Sequence, residues 1–183
     1  MIICGGFLMG TDIIVADSSP YPEVRVSGEN RQFGEQLCSA IGGSGGEFGT
    51  ISEYVYQSVI FEQSNPEISK IFGELAKVEM HHLRMISELV DLLGASPVYG
   101  WYSGKEPVYW SGSSVNYTRE LQTALIHDLN GEQKAYSAYV SLARQSGDRY
   151  VFAVLTRIAL DEMIHTSLLK SLISHRTMIP RGK

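Results

Sequence analysis

At 183 residues, 44% of them hydrophobic, the chain is long enough for one domain with a proper core. Its net charge of −5, with lysines and arginines scattered rather than clustered, excludes nucleic acid and an anionic membrane surface as electrostatic partners. The two cysteines, Cys4 and Cys38, lie far apart and exclude a disulfide framework or a thiolate site within the chain, so any bound metal must use nitrogen and oxygen.

The opening stretch MIICGGFLMGTDIIVA is apolar, yet no cationic side chain precedes Arg25 and glycines break it. It reads as neither a secretory leader nor a membrane span, and the protein is expected in the cytoplasm. Residues 1–29, with SSPYP, read as an extended arm whose apolar tip packs on the body or on a second subunit, so a homo-oligomer of dimer size or larger is expected.

From Asn30 to about Phe61 the pattern is helical except for SAIGGSGGEFGT at residues 39–50. A phosphate loop would want a preceding strand and a Lys-Ser or Lys-Thr after the last glycine, and EFGT stands there instead. The stretch reads as a helix made locally weak, each glycine costing nearly 1 kcal/mol relative to alanine, with a kink or a helix start at Glu47. Gly46 and Gly131 occupy matching places, where a close backbone approach would be common to both halves of the chain.

The second predicted helix starts at Asn65-Pro66 and carries Ile68, Ile71, Phe72, Leu75, Val78, Leu83, Ile86, Leu89 and Val90 at a helical period until Gly94 and Pro97. Residues 97–117 hold Trp101, Trp110 and several tyrosines, and read as a long ordered connection that covers a side of the body. A third helix is expected from about Asn116 to Gly147, and a fourth, capped by Asp148, carries Phe152, Leu155, Ile158, Leu168, Leu169 and Leu172. Two tight helical hairpins joined end to end describe an all-α four-helix bundle over residues 30–175, with a long crossover between helices two and three and a tail at 176–183.

The chain also repeats itself. Sliding the first half along the second places Gly46-Glu47 on Gly131-Glu132 and Tyr54-Val55 on Tyr139-Val140, and VEMHH on DEMIH, so that Glu79 and His82 fall on Glu162 and His165. The bundle therefore has internal two-fold pseudo-symmetry. Residues i and i+3 project from one helix face, so each Glu-x-x-His presents an oxygen and a nitrogen to one point. Both pairs sit among core-type residues, where a carboxylate is costly unless paired or bound to metal. Four inward glutamates, Glu47, Glu79, Glu132 and Glu162, would be neutralised by two divalent ions, each also taking one imidazole, His82 or His165. Such a set suits iron or manganese.

Glu53 competes with Glu47, but its counterpart is Ala138, whereas that of Glu47 is Glu132. His81 and His127 read as surface or supporting groups, and Tyr54 and Tyr139 as core residues able to hydrogen-bond ligated carboxylates or relay an electron.

One glutamate from each of two helices and Glu-x-x-His from each of the other two is the pattern of the ferritin-like carboxylate proteins. On these residues the chain resembles that superfamily over about residues 30–175, nearest to its rubrerythrin and manganese-catalase branch. The resemblance implies that Glu79 and Glu162 bridge two metals, that Glu47 and Glu132 are terminal ligands, and that His82 and His165 each cap one metal. Two features depart from rubrerythrins. A four-cysteine rubredoxin unit has no counterpart in the sequence, and Ala135 stands where an extra carboxylate would follow Glu132; both weigh against a rubrerythrin-type peroxidase and leave the metal site intact. The expected function is that of a dimetal oxidoreductase acting on hydrogen peroxide or dioxygen, the metal pair itself being the reactive group. The alternatives are a ferroxidase and a helical coat-type protein with a non-catalytic metal site.

Overall fold

The computed structural model describes residues 13–177. The apolar tip of the arm, Cys4 and the tail beyond Thr177 lie outside the described residues. The helices are α1 (Arg31–Gly42), α2 (Glu47–Phe61), α3 (Pro66–Leu92), α4 (Leu121–Gln145) and α5 (Arg149–Thr177), with strands β1 (Gly100–Ser103) and β2 (Glu106–Tyr109) between α3 and α4. Helices α2 to α5 form the bundle: α2 pairs closely with α3 and α4 with α5, while α1 packs on α3 and β1.

The first expected helix is thus two helices. The chain stops being helical at Gly42, where a side chain is impossible: a Cβ there would lie 2.3 Å from the backbone nitrogen of Gly100 in β1. Gly45 then turns the chain through a left-handed conformation at φ +75°, and Gly46 caps α2. Glu47 consequently becomes the first residue of a helix, where the N-terminal dipole favours a carboxylate. The matching expectation for α4 fails, because a Cβ on Gly131 would meet nothing within 4 Å.

The crossover also differs from expectation. It contains an antiparallel hairpin pairing Gly100 with Tyr109 and Ser103 with Glu106. Trp110, just beyond it, packs edge-on against Phe48 at the start of α2, and Phe48 in turn stacks on Tyr99. Helix α4 begins later than expected, at Leu121, with the Glu120 carboxylate accepting from the backbone N–H groups of Gln122 and Thr123. Asp148 does cap α5, its Oδ1 accepting from the N–H of Tyr150 at 2.8 Å.

The interior is divided lengthwise. One apolar cluster joins α1, the C-terminal half of α3, the end of α4 and the start of α5, through residues such as Leu37, Ile86, Tyr139 and Leu155. The other joins the end of α2, the start of α3, the start of α4 and the end of α5, through Phe61, Phe72, Leu125 and Leu169. The charged candidate residues lie between these two clusters. Outside, the arm runs antiparallel to α5: the Asp17 N–H donates to Asp161, Arg157 donates to the Asp17 and Ser19 carbonyls, and the Ser27 N–H donates to Asp148.

Candidate metal centre

Glu47 opens α2 and Glu132 lies midway along α4, while α3 and α5 contribute Glu79 with His82 and Glu162 with His165, each pair separated by about one turn. All six are buried, the histidines completely. Their donor atoms form two quartets, Glu47, Glu79, His82 and Glu162 in one and Glu79, Glu132, Glu162 and His165 in the other, with atoms of each quartet within 4.8 Å of one another. Glu79 and Glu162 belong to both.

The shared carboxylates divide their oxygens. Glu79 places Oε2 3.0 Å from Nδ1 of His82 and Oε1 2.9 Å from Nδ1 of His165. Glu162 places Oε1 3.2 Å from the first imidazole nitrogen and Oε2 3.5 Å from the second. Glu47 Oε1 lies 4.0 Å from His82 Nδ1, and Glu132 Oε1 lies 3.7 Å from His165 Nδ1.

This arrangement fits a pair of metal ions. Glu79 Oε1, His165 Nδ1 and both Glu162 oxygens are buried without a hydrogen-bond partner; the 2.9 Å approach of the first two lacks hydrogen-bond alignment. Buried polar atoms left so cost about 1–3 kcal/mol each. Here they are aimed at common points, and a set of carboxylate oxygens with one imidazole per quartet suits iron or manganese.

Without metal, protons balance the charge. Burial pushes Glu47 and Glu132 well above the usual carboxylate range, and the Glu79 carboxylate adds to it. Burial acts the same way on Glu79 and Glu162, but the imidazoles of His165 and His82 outweigh it and hold both low. Burial alone would lower the two histidines; the Glu79 carboxylate reverses this and raises both well above an ordinary imidazole. Without metal, protons are therefore held more tightly on Glu47, Glu132, His82 and His165 and less tightly on Glu79 and Glu162.

Groups outside the quartets fix the donors. His82 donates from Nε2 to Asp161 Oδ2 at 3.0 Å, and His165 donates from Nε2 to the Val15 carbonyl at 2.8 Å, so each imidazole turns Nδ1 inward. Asp161, buried beside His82, also accepts from Tyr21, from the Asp17 N–H and, at 2.6 Å, from Arg157. Burial works against its ionisation, but these donors, His82 foremost, bring it down to about 2. The two tyrosines cross over: Tyr54 on α2 donates to Glu132 on α4, and Tyr139 on α4 donates to Glu47 on α2.

The remaining candidates stand aside. Glu53 accepts from the Asn116 N–H at 2.7 Å and lies 3.4 Å from His127, outside both quartets. His81 packs its ring edge-on against Tyr21. A cavity of about 360 Å³ between α2 and α4 runs from exposed residues such as Ser44 and Lys134 to buried Glu132, with Glu53, Tyr54, Trp110, Asp128 and Ala135 among its walls. Trp110 shields this cavity, whereas Trp101 lies on the exposed side of β1.

Sequence reasoning missed Asp161, Tyr21 and Arg157, and also a buried pair, Gln57 and Asp128. Asp161 adjoins Glu162 in the DEMIH segment, and its place in an apolar stretch with Arg157 four residues before was the available signal.

The rubrerythrin family model matches residues 42–173, most of the chain. The chain belongs to the rubrerythrin family. A probable manganese catalase of Clostridium acetobutylicum is 24% identical over 173 residues, 83% of this chain and 75% of that protein. Among solved structures, a manganese catalase from Anabaena superposes with a TM-score of 0.78 at 20% identity, covering 93% of this chain and 85% of the other. A Rhodobacter capsulatus bacterioferritin, described with a metal-free dinuclear site and haem iron, gives 0.68 at 20% identity, over 82% and 88%. The fold of this rubrerythrin-family protein is thus the ferritin-like bundle, with a carboxylate and histidine cluster able to hold two ions of iron or manganese. No helix among the described residues is long and apolar enough to cross a membrane.

Proposed function

We propose that this rubrerythrin-family protein holds two metal ions through Glu47, Glu79, His82, Glu132, Glu162 and His165, and dismutates hydrogen peroxide to water and dioxygen. The observation that carries this reading is the division of Glu79 and Glu162, each with one oxygen toward His82 and one toward His165. Bound iron or manganese would supply a reversible two-electron change. The protein's own groups do the rest. Asp161 and the Val15 carbonyl keep Nδ1 of each imidazole inward, Tyr54 and Tyr139 restrain the terminal carboxylates, and the apolar clusters on either side keep bulk water away. Dismutation draws oxidant and reductant from the same small neutral molecule, which one cavity ending at Glu132 can admit. The names of the catalase relatives support this reading over others.

One observation favours ferroxidase activity as the second reading: the Glu53 and Glu132 carboxylates line the cavity, as suits the passage of a ferrous ion. Protein loaded separately with manganese and with iron is assayed for metal per chain, oxygen evolution from peroxide, and consumption of ferrous iron with dioxygen. Two ions per chain and oxygen evolution are expected. Ferrous oxidation without oxygen evolution favours the second reading, metal retained with neither activity favours a structural site, and failure to retain metal overturns all three.

A further inference from the structure

Gln57 on α2 and Asp128 on α4 face each other in the interior, both buried, in the half of the core that Tyr54 and Leu125 share. Gln57 donates from Nε2 to Asp128 Oδ1 at 2.9 Å. The other two atoms, Gln57 Oε1 and Asp128 Oδ2, are both buried acceptors without a partner. Two orphan acceptors on an already bonded pair are an expensive arrangement. A single proton on Asp128 Oδ2 removes both faults, because the acid then donates to the amide oxygen while the amide donates to the acid carbonyl. The pair would then close into a cyclic acid–amide dimer.

Asp128 also forms part of the wall of the cavity that ends at Glu132, the next residue on the same face of α4. The titratable groups around its cavity are Glu53 and Tyr54 from α2, and His127, Glu132 and Lys134 from its own helix; Tyr54 feels both Asp128 and Glu132. The crossover brings Trp110 to the cavity, and α3 and α5 bring apolar side chains such as Phe72, Leu75 and Leu169 to this half of the core.

We infer that Asp128, buried and paired with Gln57, is a neutral acid and serves as a proton reservoir for the metal centre, through the cavity that the two share. Burial pushes its carboxyl up to about 8, the Gln57 hydrogen bond opposing and the Glu53 carboxylate adding. The role rests on the peroxide reading above. Reduction of one peroxide takes two electrons and two protons to give two waters, and oxidation of the second returns two electrons and two protons with dioxygen. Asp128 gives up one proton in the first half, becomes a carboxylate, and takes one back in the second. The other proton of each half exchanges with water in the cavity, and bound manganese or iron would lend two electrons to the first peroxide and recover two from the second, so that peroxide is both oxidant and reductant.

Asp128→Asn separates this role from packing, because asparagine repeats both hydrogen bonds to Gln57 and cannot yield a proton at working pH. The full chain, loaded with manganese, is compared with its variant. Metal per chain and melting temperature near neutral pH are expected to hold, while kcat for oxygen evolution falls roughly 100-fold, the lower range for a positioned acid–base group. The wild-type rate should also fall on the alkaline side, near the pH at which Asp128 ionises, and that limb should vanish in the variant. An infrared difference spectrum should show a protonated carboxyl band in wild type at acidic pH, lost in alkali and absent from the variant. Equal kcat and an unchanged pH profile, or no such band, would overturn the inference. If wild type evolves no oxygen, the peroxide reading fails and the reservoir role with it, while the band still reports whether the acid–amide pair exists.

Discussion

The phenol of Tyr139, on α4, donates a hydrogen bond to the carboxylate of Glu47, on α2. Tyr54 returns the favour from α2 to Glu132 on α4, so each of these two carboxylates is held by the helix that carries the other. A hydrogen bond to a charged group is worth about 1.5–3 kcal/mol. Tyr139→Phe should therefore weaken one of the two manganese sites roughly tenfold or more and leave the other close to wild type. Manganese titration against a competing chelator checks this; equal weakening of both sites would mean that the tyrosines do not act separately.

Asp161 should couple stability to metal retention. It is the buried counter-charge of Arg157 and the acceptor for His82. Asp161→Asn leaves the Arg157 guanidinium buried without its partner, a loss of about 3–5 kcal/mol, and loosens the orientation of His82, a loss of roughly 10–100-fold in metal affinity. Denaturant unfolding of the metal-free variant measures the first and metal competition the second. Normal affinity in a destabilised variant would show that Asp161 serves the fold alone.

The pH dependence should differ in sign with and without metal. In the metal-free protein Glu47, Glu132, His82 and His165 bind protons more tightly folded than unfolded. Their contribution is complete below the unfolded values, about 4.3 for glutamate and 6.5 for histidine, and is lost as pH rises toward the folded ones. Glu79 and Glu162 are shifted down, so their contribution is present above the unfolded value and lost in acid. Metal-free protein should be most stable in mildly acidic solution and weaken toward alkali. Loading a divalent pair should displace the protons that these four groups hold, so binding strengthens as pH rises. Melting temperatures of chelator-treated and manganese-loaded protein should converge in acid and diverge above about pH 7; parallel curves would refute the exchange of protons for metal.

Two glycines should respond oppositely to alanine. A Cβ at Gly42 meets the backbone of Gly100 at 2.3 Å, so Gly42→Ala must push β1 away from α1 and should cost about 1–3 kcal/mol or more. Gly131 lies within α4 with open space at its Cβ, so Gly131→Ala should gain about 0.5–1 kcal/mol. Chemical denaturation of both variants tests the assignment, and a destabilised Gly131→Ala would contradict it.

The repeat explains which features could be read from the chain alone. Glu79, His82, Glu162 and His165 were visible because they recur at matching places within strongly periodic helices, and Glu47 and Glu132 followed by the same comparison. The same comparison is blind to residues present once. The counterpart of Asp161 is Val78, that of Asp128 is Gly43 and that of Gln57 is Leu142, so the groups that make the two halves unequal left no internal echo. The break after Gly42 and the hairpin at Gly100 depend on each other across the fold. A close approach between distant backbones has no local signature beyond the glycines themselves.

The arm carries a further consequence. Its Val15 carbonyl orients His165, and its Tyr21 and Asp17 hold Asp161 behind His82, so a strap outside the bundle touches both halves of the centre. Docking of the strap and occupancy of the metals are then linked equilibria, and linkage is reciprocal: whatever affinity the strap lends the ions, the ions return as resistance of the strap to peeling. Seen this way, residues 15–21 would act as a clasp whose tightness reports, at the surface, how full the interior is.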